Sequence, residues 1–406
     1  MSEKNKQCPN RHIYKRFNIN YNIIKSKSNC RKEVIIMLEI TNLRDGAILD
    51  CTHGFEHDNM LEIPVQGIAP ANEVVTVNAI PAERCDRNFS AVVKLTARVN
   101  QIEVRSSGYY GERTLTITVL WDKSSFKRYN FFFDDCCFFL RWIALNRPKS
   151  IFDEMFLKRL RRIHELYQTK FTLNLFYHDD HHDFSIADFP ADYKSEFQSA
   201  SDWLRLSFHA KSEFPDRPYQ NASAEVLAND FDLIYREVCR FAGAESFIPP
   251  VVIHWAITHP DNFPVLKARN VRCLTGGYLN AKTSLTEEHH SAVTDIGYHY
   301  EKDTAIYLSH KRRLYDRFND LILHNNLLCC NYDDIESITQ RFAELEQNPS
   351  QTLSLMSHEQ YSYADYMNYI PDHLDRVEHA CKLASENGYE PIWFNHGLLG
   401  NDAWEK

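Results

Sequence analysis

The chain has 406 residues, 44% of them hydrophobic and 13% aromatic, and a formal net charge of −9 at pH 7. Such a length supports two domains with real cores, and the acidic balance argues against nucleic acid as the main partner, since phosphate binding needs a basic surface. No apolar run approaches the ~18 to 20 residues that cross a bilayer; the 11 cysteines, an odd number with no Cys-x-x-Cys, favour buried thiols in a reducing, cytoplasmic setting over a disulfide framework or zinc ribbon.

Residues 1–36 are rich in Asn, Lys and Ile and show no sustained periodicity. Their longest apolar run, Val34–Leu38, is too short for a signal-peptide core, so the segment reads as a disordered tail or as sequence upstream of a start at Met37. Residues 37–128 carry short alternating runs, Glu73–Asn78, Ser90–Leu95, Gln101–Arg105 and Thr114–Trp121, separated by turn residues. This pattern predicts an all-β antiparallel sandwich. Val77–Pro81, Phe89 and Val99–Asn100 resemble the immunoglobulin-like modules appended to carbohydrate-active enzymes.

From residue 129 to 406 strands alternate with helices. Strands are expected at Asn130–Asp135, Phe171–Phe176, Trp203–His209, Val251–His254, Val271–Leu274, Leu327–Asn331, Thr352–His358 and Pro391–Phe394. Helices are expected at Ile151–Tyr167, Ala222–Phe241, Phe263–Ala268, Asp333–Glu346 and Asp372–Asn387. A βαβα order implies a parallel α/β sheet, here long enough for a (β/α) barrel, whose chemistry sits at strand C-termini.

Several of those strand ends carry reactive side chains. Asp134 and Asp135 close an aromatic strand, where two acids are costly to bury without a cation or a proton to share; capping of the next helix is the bland alternative. One carboxylate of such a pair can bind a divalent metal while its neighbour serves as base. His209 and His254 end two further strands and are candidate nitrogen ligands for zinc or a late transition metal, with His259 as a possible companion. His358 closes a late strand and suits a general acid, oriented by Glu359 or another acid; the His-Glu pair does not continue into a zinc-protease motif. The run His178–Asp183 reads as a rim or lid. His53, His57 and Asp58, and the stretch Glu287–His290, read as solvated loops. Nucleophile-elbow, P-loop and dinucleotide motifs are absent from the sequence.

Phe131–Asp135, the helix and strand over Ile151–Phe176, and Leu353–His358 together resemble the polysaccharide deacetylase (NodB-homology) superfamily, carbohydrate esterases on a distorted (β/α) barrel. The resemblance runs from Tyr129 to near the C-terminus. It implies a metal-dependent hydrolase, with zinc as the expected divalent metal, that removes acetyl groups from a carbohydrate. Asp134 would be the base, His358 the acid, and Asp135, His209 and His254 the metal ligands. Two features depart from the family pattern. His209 has no second histidine close by, so either His254 or Glu213 replaces it or metal binding is weak or absent, and Pro249-Pro250 lack the preceding Arg that steadies the catalytic Asp. A non-catalytic glycan-binding protein on a degenerate barrel stays open, as does a glycoside hydrolase pairing Asp134 with Glu359, whose carboxyl groups would lie about 5 to 9.5 Å apart.

Overall fold

The computed structural model describes residues 38–109, 111–277, 297–298, 300 and 302–406. The expectation for residues 1–36 and that for Glu287–His290 lie outside the described residues. The chain divides into two compact units, Met1–Trp121 and Asp122–Lys406.

The first unit contains two five-stranded sheets. One is built on the antiparallel pair Met60–Ile68 and Asn88–Leu95, the other on Val99–Gly108 and Gly111–Trp121. Successive side chains on a strand point to opposite faces, so Leu61, Ile63 and Val65 share one buried face with Phe89, Ala91, Val93 and Leu95 of the neighbouring strand. Val74–Val77 from the second sheet packs against Asn88–Leu95. Within this unit the buried Glu73 pairs with Arg113 and accepts from the Ser106 hydroxyl.

The second unit is mixed α/β. Its strands are β1 (Arg128–Cys136), β2 (Phe171–Phe176), β3 (Leu204–Ala210), β4 (Cys273–Gly276), β5 (Leu321–Asn325), β6 (Leu328–Cys329) and β7 (Thr352–His358). The principal helices are α1 (Phe138–Asn146), α2 (Met155–Tyr167), α3 (Ala224–Phe241), α4 (Ile335–Ala343) and α5 (His373–Glu386). The main sheet is parallel, in the order β3-β2-β1-β7-β6, with Glu390–Pro391 also pairing with β1. Every residue of β1 and β2 is buried, as expected of parallel strands covered on both faces. The helices supply that cover: Leu227, Phe231, Ile234, Val238 and Phe241 recur at helical spacing along α3 and are all buried.

Beyond β3 the hydrogen bonds continue through an irregular segment. Ile248 N–H donates to the Leu206 carbonyl (2.9 Å) and Thr275 N–H of β4 to the Val251 carbonyl (2.6 Å). β4 pairs with β5, Asn326 N–H donates to the Gly276 carbonyl (3.0 Å), and Leu327 N–H donates to the Ser354 carbonyl of β7 (2.8 Å). The expected strand Val251–His254 is therefore corrected to an extended segment that ends in a tight turn, His254–Ala256. Pro249 and Pro250, which lead into it, have no N–H to donate to a ladder. Likewise the expected strands Leu327–Asn331 and Pro391–Phe394 shrink to Leu328–Cys329 and Glu390–Pro391. Elements that were not expected include α1, the helices Lys194–Ala200 and Lys302–Lys311, the hairpin of His178–Asp179 with Phe184–Ser185, and the antiparallel pair Arg313–Asp316 with β5. Among the described residues no helix is long and apolar enough to cross a membrane.

At the start of β1 lies a buried ionic cluster. Arg128 Nη2 meets both oxygens of Asp122 (3.0 and 2.9 Å), Arg313 Nη1 meets Asp122 Oδ2 (2.6 Å), and Asn401 Nδ2 donates to Asp122 Oδ1 (2.9 Å). Arg128 also donates to the Leu399 and Leu398 carbonyls, at 2.6 and 3.0 Å. All four side chains are buried.

Candidate functional site

The register of β1 with β7 runs from Arg128↔Thr352 to Asp134↔His358, which sets the first carboxylate directly opposite the last imidazole. The next residue, Asp135, has φ of 58°, and the β1–β2 register slips between Phe133 and Cys136. In a regular strand neighbouring side chains point to opposite faces. A left-handed residue at a bulge breaks that alternation, and aspartate tolerates it better than most. As a result both carboxylates reach one imidazole: His209, at the end of β3, has Nδ1 3.6 Å from Asp134 Oδ1 and Nε2 3.1 Å from Asp135 Oδ1.

His254 completes the cluster from the turn after the 247–253 segment. Trp255 and Ala256 follow it with φ of 63° and 45°. Its Nδ1 lies 3.5 Å from Asp135 Oδ1 and 2.9 Å from His209 Nε2, and its Nε2 lies 3.4 Å from the Glu213 carbonyl. That carbonyl can only accept, so Nε2 carries the proton and Nδ1 presents its lone pair to the cluster. Asp135 Oδ1, though buried, has no hydrogen-bond partner. Three ligand atoms, His254 Nδ1, His209 Nε2 and Asp135 Oδ1, thus form a triangle with sides of 2.9, 3.1 and 3.5 Å. Tetrahedral zinc with bonds of about 2.0–2.1 Å spaces its ligand atoms by roughly 3.3 Å, so one carboxylate and two imidazoles fit such an ion in both type and spacing.

The two aspartates are electrostatically distinct. Burial raises the Asp134 carboxyl above its ordinary value, with His209 and His358 only partly offsetting it. Burial acts on Asp135 too, but His358, His209 and His254 outweigh it and hold that carboxyl well below the usual range. His209 is raised: burial opposes its charge, yet Asp134 and Asp135 prevail. His254 is pushed down to about 3 by burial and by the neighbouring His209. Adjacent carboxyls driven in opposite directions are a common basis for separate acid–base and ligand roles.

Asp134 accepts from Asn174 Nδ2, an amide in β2, at 2.7 Å. Asn174→Leu is expected to leave that buried carboxylate short of a donor and to lower stability by about 1.5–3 kcal/mol, read from the urea midpoint. His358 Nδ1 lies 2.8 Å from Asn331 Oδ1, which also accepts from Cys329 Sγ (2.8 Å). Nδ1 therefore donates, and Nε2 faces Asp135 Oδ2 at 3.9 Å.

Glu359 does not orient His358. Its carboxylate accepts the Cys137 (2.7 Å), Phe138 (3.0 Å) and Phe139 (2.6 Å) N–H groups at the start of α1. Burial pushes it up to about 8 against the pull of those donors. This corrects two sequence expectations: the orienting partner of His358 is Asn331, and the acid that caps the helix after the aspartate pair is Glu359 rather than Asp134 or Asp135. The pairing of Asp134 with Glu359 as glycosidase carboxylates loses its basis, because Glu359 is fully buried against backbone donors.

Of the residues singled out by sequence, Asp134, Asp135, His209, His254 and His358 converge, and others do not. The Glu213 side chain meets His181 Nε2 (2.6 Å) and Gln360 Nε2 (2.9 Å) instead of joining the cluster. His178–Asp179 forms a short hairpin with Phe184–Ser185, and His182 pairs with the buried Asp179. His259 turns back onto Asp261, while His53 and His57 pair with Asp50 and Asp58 in the first unit. Sequence reasoning missed Asn174 and Asn331. For Asn174 a signal existed: it is the one amide in the otherwise apolar and hydroxyl-bearing run Phe171–Phe176.

No family model matches the chain, and a search of curated proteins finds no match. Among solved structures it is similar to a CE4 family pseudoenzyme from Bacillus anthracis, at 7% identity and a TM-score of 0.29 over 71% of this chain and 81% of that one. A mutant of the same pseudoenzyme with restored enzymatic activity gives 7% identity and a TM-score of 0.30 over 71% and 84%. A GH5 xyloglucanase from Bacteroides ovatus, in complex with a XXXG heptasaccharide, gives 9% and 0.24 over 85% and 100%. Resemblance at these TM-scores assigns neither family nor activity.

Proposed function

We propose that the second unit is a metal-dependent hydrolase on a distorted (β/α) barrel that removes acetyl groups from a carbohydrate, and that the first unit is an appended immunoglobulin-like sandwich. The observation that carries this reading is the Asp135–His209–His254 triangle, with its unpartnered carboxylate oxygen, flanked by Asp134 on one side and His358 on the other. The hydrogen bonds that lead from β3 through residues 247–251 to β4, β5, β6 and back to β7 support the barrel. Exposed aromatic rings beside the site, Trp255 next to His254 and Tyr332 at 6.3 Å from the His358 ring, offer apolar faces to a sugar.

Asp135, His209 and His254 would hold the ion. When bound, the metal would supply Lewis-acid polarisation of the acetyl carbonyl and lower the pKa of a coordinated water. Asp134, raised in pKa and steadied by Asn174, is suited to accept the proton of the attacking water as its oxygen bonds to the carbonyl carbon. His358, with Nδ1 fixed by Asn331, is suited to deliver a proton from Nε2 to the amine or alcohol that leaves as the acyl bond breaks, giving acetate. The wild-type protein, purified without chelator, is expected to carry about one divalent ion per chain by mass spectrometry and to release acetate from an acetylated oligosaccharide. Stoichiometric absence of metal together with no acetate release from N- or O-acetylated glycans would overturn the reading.

A further inference from the structure

β1 and β7 stay in register up to Asp134↔His358, and there the ladder ends. Asp135 turns into the left-handed region and the chain enters α1, whereas His358 passes into the short turn Glu359–Ser362. Past this point the two chains that carry the acid–base pair diverge, and something must hold them. Helix α1 has no cap of its own: Cys137 at its N-cap makes no side-chain hydrogen bond and its first turn contains no acid. Its first N–H groups are taken instead by Glu359, 220 to 222 residues away and next in sequence to His358. A helix needs no such distant partner to be capped. Helix α2 is capped by Glu154, which accepts Leu157 N–H (2.8 Å) three residues on and Tyr363 Oη–H (2.9 Å).

We propose that Glu359 is the positioning residue of the site: its bonds to the start of α1 lock the strand end bearing Asp134 and Asp135 against the one bearing His358. This rests on the reading of Asp135 as a metal ligand and His358 as the acid. Each carboxylate oxygen is used, Oε2 by two donors and Oε1 by one, so rotation of the carboxylate is blocked and both chains are fixed to one planar group. In Glu359→Gln at least one of those N–H groups faces an amide NH2, and the lock loosens without a change in size.

The test compares Glu359→Gln with Glu154→Gln, an equally buried helix-capping carboxylate that does not follow His358. Zn2+ affinity is measured by competition with a chromophoric chelator, and the visible spectrum is recorded after Co2+ loading. Glu359→Gln is expected to weaken Zn2+ binding about 10-fold or more, the range for groups that orient ligands, and to shift the Co2+ bands, whereas Glu154→Gln leaves both as in the wild type. Wild-type affinity and spectrum in a folded Glu359→Gln protein overturn the proposal. If the wild type takes up neither ion, the hydrolase reading fails, and crystal structures decide the role of Glu359. The Asp135–His358 separation of 3.9 Å is then expected to widen in Glu359→Gln and not in Glu154→Gln; an unchanged separation overturns the lock. Should Glu359→Gln fail to fold, Glu359→Asp, which keeps the charge but shortens the reach by one methylene, takes its place in each measurement.

Discussion

Asp135→Ala is expected to purify without stoichiometric divalent metal and to hydrolyse acetylated sugar at least about 10^3-fold more slowly than the wild type, a loss of roughly 4 kcal/mol of transition-state stabilisation. Of the three candidate ligands Asp135, His209 and His254, Asp135 alone is anionic. His209 and His254 alone would be two imidazoles 2.9 Å apart with no carboxylate oxygen in the triangle to share a dication with them. The same loss is readable without a substrate. A ligand that binds only the folded state raises its stability by RT ln(1 + [L]/Kd), so Zn2+ should raise the melting temperature of the wild type and leave that of Asp135→Ala unmoved. Asp134→Asn separates the two carboxylates. It should keep the metal and the Zn2+-dependent stabilisation while losing about 10^2 to 10^4 in rate, the usual worth of a positioned base. A metal-replete Asp135→Ala protein would mean that the ion, if any, sits elsewhere.

How far the sequence discloses this site depends on how far apart the partners lie. β2 and β7 are readable to the residue, because Phe171–Phe176 and Thr352–His358 are short apolar-rich runs bounded by turns. The Asp134-Asp135 pair stands out because acids at the end of an aromatic run carry a desolvation cost visible without any structure. His254 is identifiable as a candidate even though its strand does not form, since it is the first metal-capable side chain after the apolar run Val251–Ile253. The supporting residues are another matter. Asn174, Asn331 and Glu359 act on partners 40, 27 and 220 to 222 positions away, so that even where a residue stands out, as the lone amide Asn174 and the strand-end Glu359 do, its partner is not legible. Helix α1 escapes notice for the same reason: its capping signal is stored beside His358 rather than beside Phe138. The strand pair Arg313–Asp316 with β5 turns through Arg317-Phe318-Asn319-Asp320, which contains neither Gly nor Pro to announce it.

Asp122→Ala is expected to cost about 3–5 kcal/mol, enough to unfold a marginal domain, because it strips the shared carboxylate from two buried guanidinium groups. A surface ion pair would lose far less. What distinguishes this cluster is that Arg128 and Asp122 are wholly buried and Arg313 nearly so, and that both guanidinium groups share the Asp122 carboxylate. Asp122→Asn should cost less than alanine but still destabilise, since the amide keeps one acceptor and loses the charge. The pH dependence has a definite sign. Burial pushes the Asp122 carboxyl up, but Arg313 and Arg128 together more than offset this and hold it below its ordinary value. A group depressed in the folded state contributes stability that is complete above its unfolded pKa, about 3.9, and drains away as pH falls through the folded value. Urea unfolding should therefore show wild type and Asp122→Asn well separated at pH 7 and converging below about pH 4. Pairing Asp122→Ala with Arg313→Met, which removes one of the two buried cations that share Asp122 and substitutes an apolar side chain, should recover part of the loss; if it recovers none, the cluster contributes through packing rather than charge.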